Sequence, residues 1–302
     1  MAEREVRIYE VGPRDGLQNE QQAIPTDAKL RFIALLAEAG LREIEATSFV
    51  SPKAVPQLAD ADELMARLER RRGVRYPVLV PNERGMSRAL QADADAICLF
   101  TAASEPFVQH NIGMSIAESM TAFAPVMAQV RQRGLWSRGY VSTAFGCPYQ
   151  GAVTEAAVVG VAQELIQLGV DEVSIGDTIG VAVPTDVRRV VGALLNAGIP
   201  VPRLAMHFHD TRGTALANVA IALEMGIRTF DSSSGGTGGC PYAPGAAGNL
   251  ATEDLVYLLD REGLSHGVDL EGVLTAARFI SESIGRPLTT KVGQAGGWQQ
   301  RV

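Results

Sequence analysis

Short β-rich runs alternate with helical patterns along this chain from one end to the other, and that alternation limits the fold more than any other feature. The runs are "VRIYEVG", "EIEATSF", "YPVLV", "AICLFTAAS", "SRGYVSTA", "EVSIGDT", "RLAMHFHD" and "TFDSSSGG". The intervening helices are expected at "PTDAKLRFIALLAEAG", over 55–71, near 84–92, from Ser115 onward where Ser115 and Glu118 have capping-box spacing, and over 154–169, 185–198, 214–226 and 250–262. Eight strand–helix units within roughly 260 residues indicate an α/β fold of the (β/α)8 TIM-barrel type, not a doubly wound open sheet. A further amphipathic helix over 269–284 follows the barrel. A single catalytic domain is expected, with a barrel core over about 5–265, an additional helical region over 266–290 and a loose tail over 291–302.

The 302 residues are 46% hydrophobic and 20% charged, with a net charge of −7 and no basic run. Nucleic acid and membrane surfaces are therefore not expected partners. Three scattered cysteines, Cys98, Cys147 and Cys240, fit a reducing compartment better than a disulfide framework. "MAEREVRIYEVG" runs directly into a strand pattern with no signal-peptide composition, so a cytoplasmic protein is expected.

In such a barrel the chemistry sits where strands end and the following loops begin. The unusual polar residues fall there. Arg14 and Asp15 follow the first strand, Glu45 and Ser48 lie in or after the second, and Thr101 and Ser104 end the fourth. Arg138 and Tyr140 lie on the fifth, Asp177 ends the sixth, and His207 and His209 end the seventh. The chain has only four histidines, and two of them stand in "HFHD". Residues two apart on a strand share a face with Cα atoms roughly 6.5–7 Å apart, close enough to bind one ion. An isolated H-x-H reads as a pair of hydrogen-bonded core histidines. With Asp15 and Asn249 as oxygen donors across a barrel mouth, a six-coordinate Mg²⁺ or Mn²⁺ fits better, and Zn²⁺ less well.

Arg14 beside Asp15 reads either as a turn ion pair or as a planar fork for a carboxylate or thioester oxygen. Glu45 interrupts an apolar strand, where a carboxylate needs a partner, and Arg14 or Arg138 would supply it. Asp177 reads as a helix cap or turn residue as readily as a site residue. "GCPY" occurs twice, at 146–149 and 239–242, each after a strand. The second lies in a glycine-rich run, "GGTGGCPYAPGAAG", whose backbone has the freedom of a lid, so that the Cys240 thiol could donate a proton to bound substrate. Cys98, within "DAICLF", reads as core.

The segments "VGPRDGLQNE", "IEATSFVSPK", "RGYVS…GCPY", "GDTIGV", "HFHDTRGTALAN" and "GGCPYAPGAAGNLATEDLVY" resemble the 3-hydroxy-3-methylglutaryl-CoA lyase family over nearly the whole chain, from about residue 6 to 292. The resemblance implies a divalent cation held by Asp15, His207, His209 and Asn249. It implies that Arg14 stabilises negative charge on the thioester oxygen and that Cys240 protonates the departing enolate. The base that takes the hydroxyl proton would be Asp15, His207 or a group linked to Glu45. Gln18, Ser48, Asn111, Arg138, Tyr140 and Asp177 would contact the acyl-CoA or support its pocket, and a homodimer or homotetramer is implied. One departure is Thr237, where the family pattern carries leucine; an exposed threonine there would change how the lid meets substrate. The tail also lacks the cysteine that some animal relatives carry.

Two other functions are compatible with these motifs. A Claisen-type synthase would join acetyl-CoA to a 2-oxo acid, but such synthases resemble "RDGEQ" where this chain has Leu17, and they carry a long C-terminal regulatory region. A catalytically dead barrel would have lost a metal ligand or Cys240, and all are present. Within the lyase reading, citramalyl-CoA or a related thioester is an alternative substrate.

Overall fold

The computed structural model describes residues 5–20, 22–238, 248–287 and 289–297. Within them lie nine strands: β1 (Arg7–Glu10), β2 (Glu43–Ile44), β3 (Thr47–Ser48), β4 (Val78–Leu79), β5 (Ala96–Ala102), β6 (Trp136–Ser142), β7 (Glu172–Asp177), β8 (Leu204–Phe208) and β9 (Thr229–Ser232). All pair in parallel, in the order β2-β1-β9-β8-β7-β6-β5-β4-β3. The order begins and ends on one stretch of chain, because β2 and β3 are the two halves of the expected second strand. Between them Glu45 N donates to Glu10 O at 2.8 Å and Ala46 N to Pro77 O at 2.9 Å, so this stretch bonds to both of its neighbours. The sheet thus closes into an eight-stranded barrel, which leaves no free sheet edge.

Helices α1 (Thr26–Glu38), α2 (Ala61–Arg67), α3 (Glu83–Gln91), α4 (Glu105–Ile112), α5 (Ile116–Arg133), α6 (Glu155–Leu168), α7 (Pro184–Asn196), α8 (Ala215–Glu224), α9 (Thr252–Arg261), α10 (Leu270–Ile284) and α11 (Lys291–Ala295) accompany the strands. The main apolar core includes Phe32, Leu36, Val126, Leu165, Val190, Val219 and Leu255 from the helices and Ile44, Ile97, Val173, Ile175 and Met206 from the strands. The expected capping box at Ser115 and Glu118 forms. No described helix is long and apolar enough to cross a membrane.

Three expectations are corrected. The helix expected over 55–71 is a 3-10 turn at Pro56–Leu58 followed by the short α2, which stops where Leu68 turns extended. α4 was not anticipated; Ser104, read only as a strand-end polar residue, caps it by accepting from Phe107 N. Within the tail expected to be loose, Lys291–Ala295 form α11, where Thr290 caps Gly293 N and Asp254 accepts from the backbone N–H groups of Lys291 and Val292; 298–302 lie outside the described residues.

The barrel interior is unusually polar. Arg7 reaches across the lumen to Glu43, Glu172 and Thr229. Arg138, fully buried, pairs with Asp231 at 2.6 Å and Glu172 at 3.1 Å while lying 3.9 Å from the centre of the Tyr9 ring. Period-two alternation puts these residues on one face of their strands, and the apolar neighbours face the helices.

Candidate active site

The chain leaves β1 through a tight π-helical turn, Gly12–Gly16, in which Val11 O accepts from the N–H groups of Arg14, Asp15 and Gly16. Two glycines make that turn fit. A Cβ on Gly12 would lie 2.5 Å from Glu10 Oε1, and one on Gly16 would lie 2.3 Å from Thr237 Oγ1. The turn sets Arg14 and Asp15 at the barrel mouth. Arg14 donates through Nε to Glu45 Oε1 at 2.8 Å, through NH2 to Glu45 Oε2 at 3.0 Å, and through NH1 to Asp15 Oδ1 at 2.8 Å. Tyr140 completes the set, its hydroxyl donating to Glu45 Oε2 at 2.6 Å.

Donor atoms of Asp15, His207 and His209 all lie within 4.8 Å of one another. Asn249 is beside them: it bridges to His209 through the backbone, and its Nδ2 donates to Asp15 Oδ2 at 2.9 Å and to Thr237 O at 3.1 Å. Two atoms here, His209 Nδ1 and Asn249 Oδ1, are buried without a hydrogen-bond partner among the described residues. Orphaned acceptors in a buried cluster of two imidazoles and a carboxylate are what a divalent cation would satisfy, so the residues present fit such an ion. Burial pushes the Asp15 carboxyl up, but Arg14, His207, His209 and the Asn249 bond outweigh it and carry it from 3.8 to about 2. Burial, reinforced by His207, lowers His209 to about 3 against the pull of Asp15. Both side chains are therefore held in the deprotonated forms that metal binding would require.

The surrounding pocket is lined by Arg14, Asp15, Gln18, Asn111, Tyr140, His207 and His209 among the expected residues. Gln18 donates to Asp15 Oδ1 at 2.9 Å, and Asn111 is anchored to Phe107 O at 2.9 Å on α4. Besides Asn249, four expected residues stand outside its walls. Glu45 has both oxygens occupied by Arg14 and Tyr140, so it holds the arginine and its carboxylate does not face the substrate space. Arg138 is locked below the site by Asp231 and Glu172, which also settles that Arg14 is the partner of Glu45. Ser48 turns its hydroxyl to Leu79 O at 3.3 Å. Asp177 accepts from Val181 N at 2.9 Å and Ala182 N at 3.0 Å, which is the turn role; burial, against those bonds, pushes it up to about 6. Thr237 is fully buried, not exposed, and its hydroxyl meets Ser233 Oγ at 2.5 Å. Cys240 lies outside the described residues. Cys147 is buried off the pocket, with Ser104 Oγ donating to its sulfur at 2.9 Å.

Asn19, Ser142, Ser174 and Thr178, none of them among the expected residues, also line the pocket, and Asp231 lies beneath it. For Ser174 and Asp231 a signal was present in the strand period: each stands two positions on from another polar residue, Glu172 and Thr229 respectively, and so shares its inward face.

Comparison with known proteins adds to this geometry. The family model described as HMGL-like matches residues 5–280. Mitochondrial hydroxymethylglutaryl-CoA lyase of Rattus norvegicus is 50% identical over 292 residues, 97% of this chain and 90% of that protein. The cytoplasmic 3-hydroxy-3-methylglutaryl-CoA lyase of the same species is 49% identical over 290 residues, covering 96% of this chain and 84% of that one. The structure of an HMG-CoA lyase from Acinetobacter baumannii in complex with coenzyme A and 3-methylmalate superposes with a TM-score of 0.93 at 38% identity, covering 98% of this chain and 97% of that chain.

Proposed function

The chain belongs to the HMGL-like family, and from that premise we propose that it is a divalent-metal-dependent lyase that cleaves 3-hydroxy-3-methylglutaryl-CoA to acetyl-CoA and acetoacetate. One observation carries the reading: Asp15, His207 and His209 converge within 4.8 Å, beside Arg14 in the same pocket.

Asp15, His207, His209 and Asn249 would hold the ion. When bound, a Mg²⁺ or Mn²⁺ would lower the pKa of the substrate's tertiary hydroxyl and neutralise its free carboxylate. The rest falls to the chain's own groups. Asp15 lines the pocket, as does Tyr140, which is linked to Glu45, and a His207 whose lone pair holds the ion has none for a proton, so the hydroxyl proton goes to Asp15 or through Tyr140 to Glu45. As it leaves, the C2–C3 bond breaks, C3 becomes the ketone of acetoacetate, and the electron pair passes to C2 as the enolate of acetyl-CoA. Arg14, pinned by Glu45, presents its guanidinium to that enolate oxygen, where charge develops only on the way to the transition state. Cys240 delivers a proton to C2; this assignment rests on the motif "GGCPYAPGAAGN". Gln18, Asn111 and Tyr140 shape the pocket for the acyl-CoA. A cytoplasmic location and assembly into a dimer or tetramer belong to the same proposal, supported by the cysteine usage and by family likeness respectively.

The test is a thioester panel. Purified protein with Mn²⁺ is given 3-hydroxy-3-methylglutaryl-CoA or citramalyl-CoA and assayed for acetyl-CoA, and in a separate arm acetyl-CoA with 2-oxo acids. Equimolar acetyl-CoA and acetoacetate from the first substrate supports the reading. Preferential cleavage of citramalyl-CoA, or turnover only in the condensing direction, overturns it.

A further inference from the structure

His207 and His209 are chemically alike in sequence, but the structure treats them differently. His209 Nδ1 is buried with no partner among the described residues, whereas His207 Nδ1 lies 3.2 Å from Asp231 Oδ2. That carboxylate is tightly held. Ser174 Oγ donates to the same oxygen at 2.9 Å, and Arg138 NH2 donates to Oδ1 at 2.6 Å. Arg138 in turn pairs with Glu172, which pairs with Arg7, so charges alternate in sign up the barrel axis and end at the imidazole.

From this arrangement, and resting on the metal-site reading above, we propose that Asp231 is a positioning residue that fixes His207 as the Nδ1–H tautomer and so aims its Nε2 lone pair at the cation. The argument is one of donors and acceptors. A carboxylate paired with a guanidinium is ionised and can only accept. Ser174 and His207 must both donate to it, and a neutral imidazole that donates through Nδ1 has its lone pair on Nε2 alone. A hydrogen-bonded carboxylate behind a ligating histidine also fixes the ring's orientation and raises its basicity as a ligand. Arg138 prevents Asp231 from turning away: it is fully buried, stacked on Tyr9, and its charge would be left uncompensated if Asp231 moved. A purely structural role, in which Asp231 merely neutralises Arg138, would make no demand on the state of His207.

The experiment therefore reads that state directly. With only four histidines, the ¹⁵N resonances of His207 can be assigned in the metal-free wild-type protein. In the expected spectrum the ring proton sits on Nδ1 whenever the ring carries only one. In Asp231→Asn, Arg138 claims the amide oxygen and the amide nitrogen turns towards His207, so the ring should switch to the Nε2–H form. Mn²⁺ affinity, measured by calorimetry or electron paramagnetic resonance, should fall about 10–100-fold, the usual effect of losing such a partner. An Nε2–H ring in the wild type, or unchanged Mn²⁺ affinity in a folded Asp231→Asn variant, overturns the proposal and leaves the metal site standing. Absence of Mn²⁺ binding by the wild type overturns both. Should Asp231→Asn fail to fold, the wild-type tautomer decides alone.

Discussion

Arg14 and Glu45 meet as two flat forks, with Nε 2.8 Å from Oε1 and NH2 3.0 Å from Oε2, and both are buried. The pair spends two of the guanidinium's donors on fixing its plane and leaves the third nitrogen, NH1, beside Asp15. The arginine is thus held before substrate arrives. Arg14→Gln should lower turnover by about 10²–10³, the usual effect of removing one donor that faces developing charge. Glu45→Gln should leave the charge but loosen its aim, because an amide accepts through one atom only. Its loss should appear in kcat more than in KM and approach about 10²-fold, as a misplacement of 1 Å can produce. Steady-state kinetics check both, and a Glu45→Gln enzyme with unchanged kcat would show that Arg14 needs no clamp.

The orphaned atoms His209 Nδ1 and Asn249 Oδ1 lead to a prediction about metal and stability together. Exhaustive chelation should abolish cleavage, and added Mn²⁺ should restore it. Mn²⁺ at about 100 times its Kd should also stabilise the folded protein by about 2.7 kcal/mol. His207→Ala, His209→Ala and Asn249→Ala should each blunt that rise in Tm. Full turnover in protein shown by elemental analysis to be metal-free would refute the requirement.

Glu10 gives a pH signature. Its carboxylate, at the end of β1, accepts from the N–H groups of Gly12 and Ser234 and from the Thr252 hydroxyl, yet burial raises it from 4.5 to about 7. A raised carboxyl pKa means that the folded state keeps a proton the unfolded chain gives up. Its contribution to stability is therefore fully present below about pH 4.5 and is lost as pH rises through about 7. Glu10→Gln can keep both N–H contacts on its oxygen and donate to Thr252 Oγ1. Urea unfolding at pH 5 and pH 8 should show a larger drop for the wild type than for Glu10→Gln. Equal drops would mean that Glu10 is ionised throughout.

The barrel was legible because every strand and nearly every helix carries its own local signal, and the Asp15–His207–His209 cluster because H-x-H and the R-D turn have fixed spacing. What escaped notice depends on contacts between strands. Nothing in "EVSIGD" or "TFDSS" says that Ser174 and His207 share a carboxylate oxygen of Asp231, since the three come from different strands and meet only once the sheet closes. Arg138 stands off the pocket lining for the same reason. A polar residue on the inward phase of a barrel strand reads as a pocket residue, and its depth depends on register: Arg138 pairs with Glu172 at the start of β7, whereas Tyr140, two residues on, reaches the pocket. Thr237 looked exposed because glycine-rich runs usually are, but Gly16 has no side chain and lets it pack inside.

The two "GCPY" segments are identical in four residues, so whatever separates their cysteines lies in the surroundings. Cys147 is buried, closes a small bridge with Gly151, accepts from Ser104 Oγ and the Tyr149 N–H, and stands off the pocket wall. It has no route to a substrate carbon. Cys147→Ala should therefore affect stability, by roughly the 1 kcal/mol typical of a buried point change, and leave kcat near the wild-type value. Cys240 is assigned the proton transfer by its motif, so Cys240→Ala should remove most cleavage while the metal-dependent rise in Tm persists. A thiol reagent should inactivate the wild type by labelling Cys240, located by peptide mapping, and a bound product analogue should slow that labelling. Equal losses of kcat in the two alanine variants, or labelling unaffected by the analogue, would move the final proton to water or a histidine.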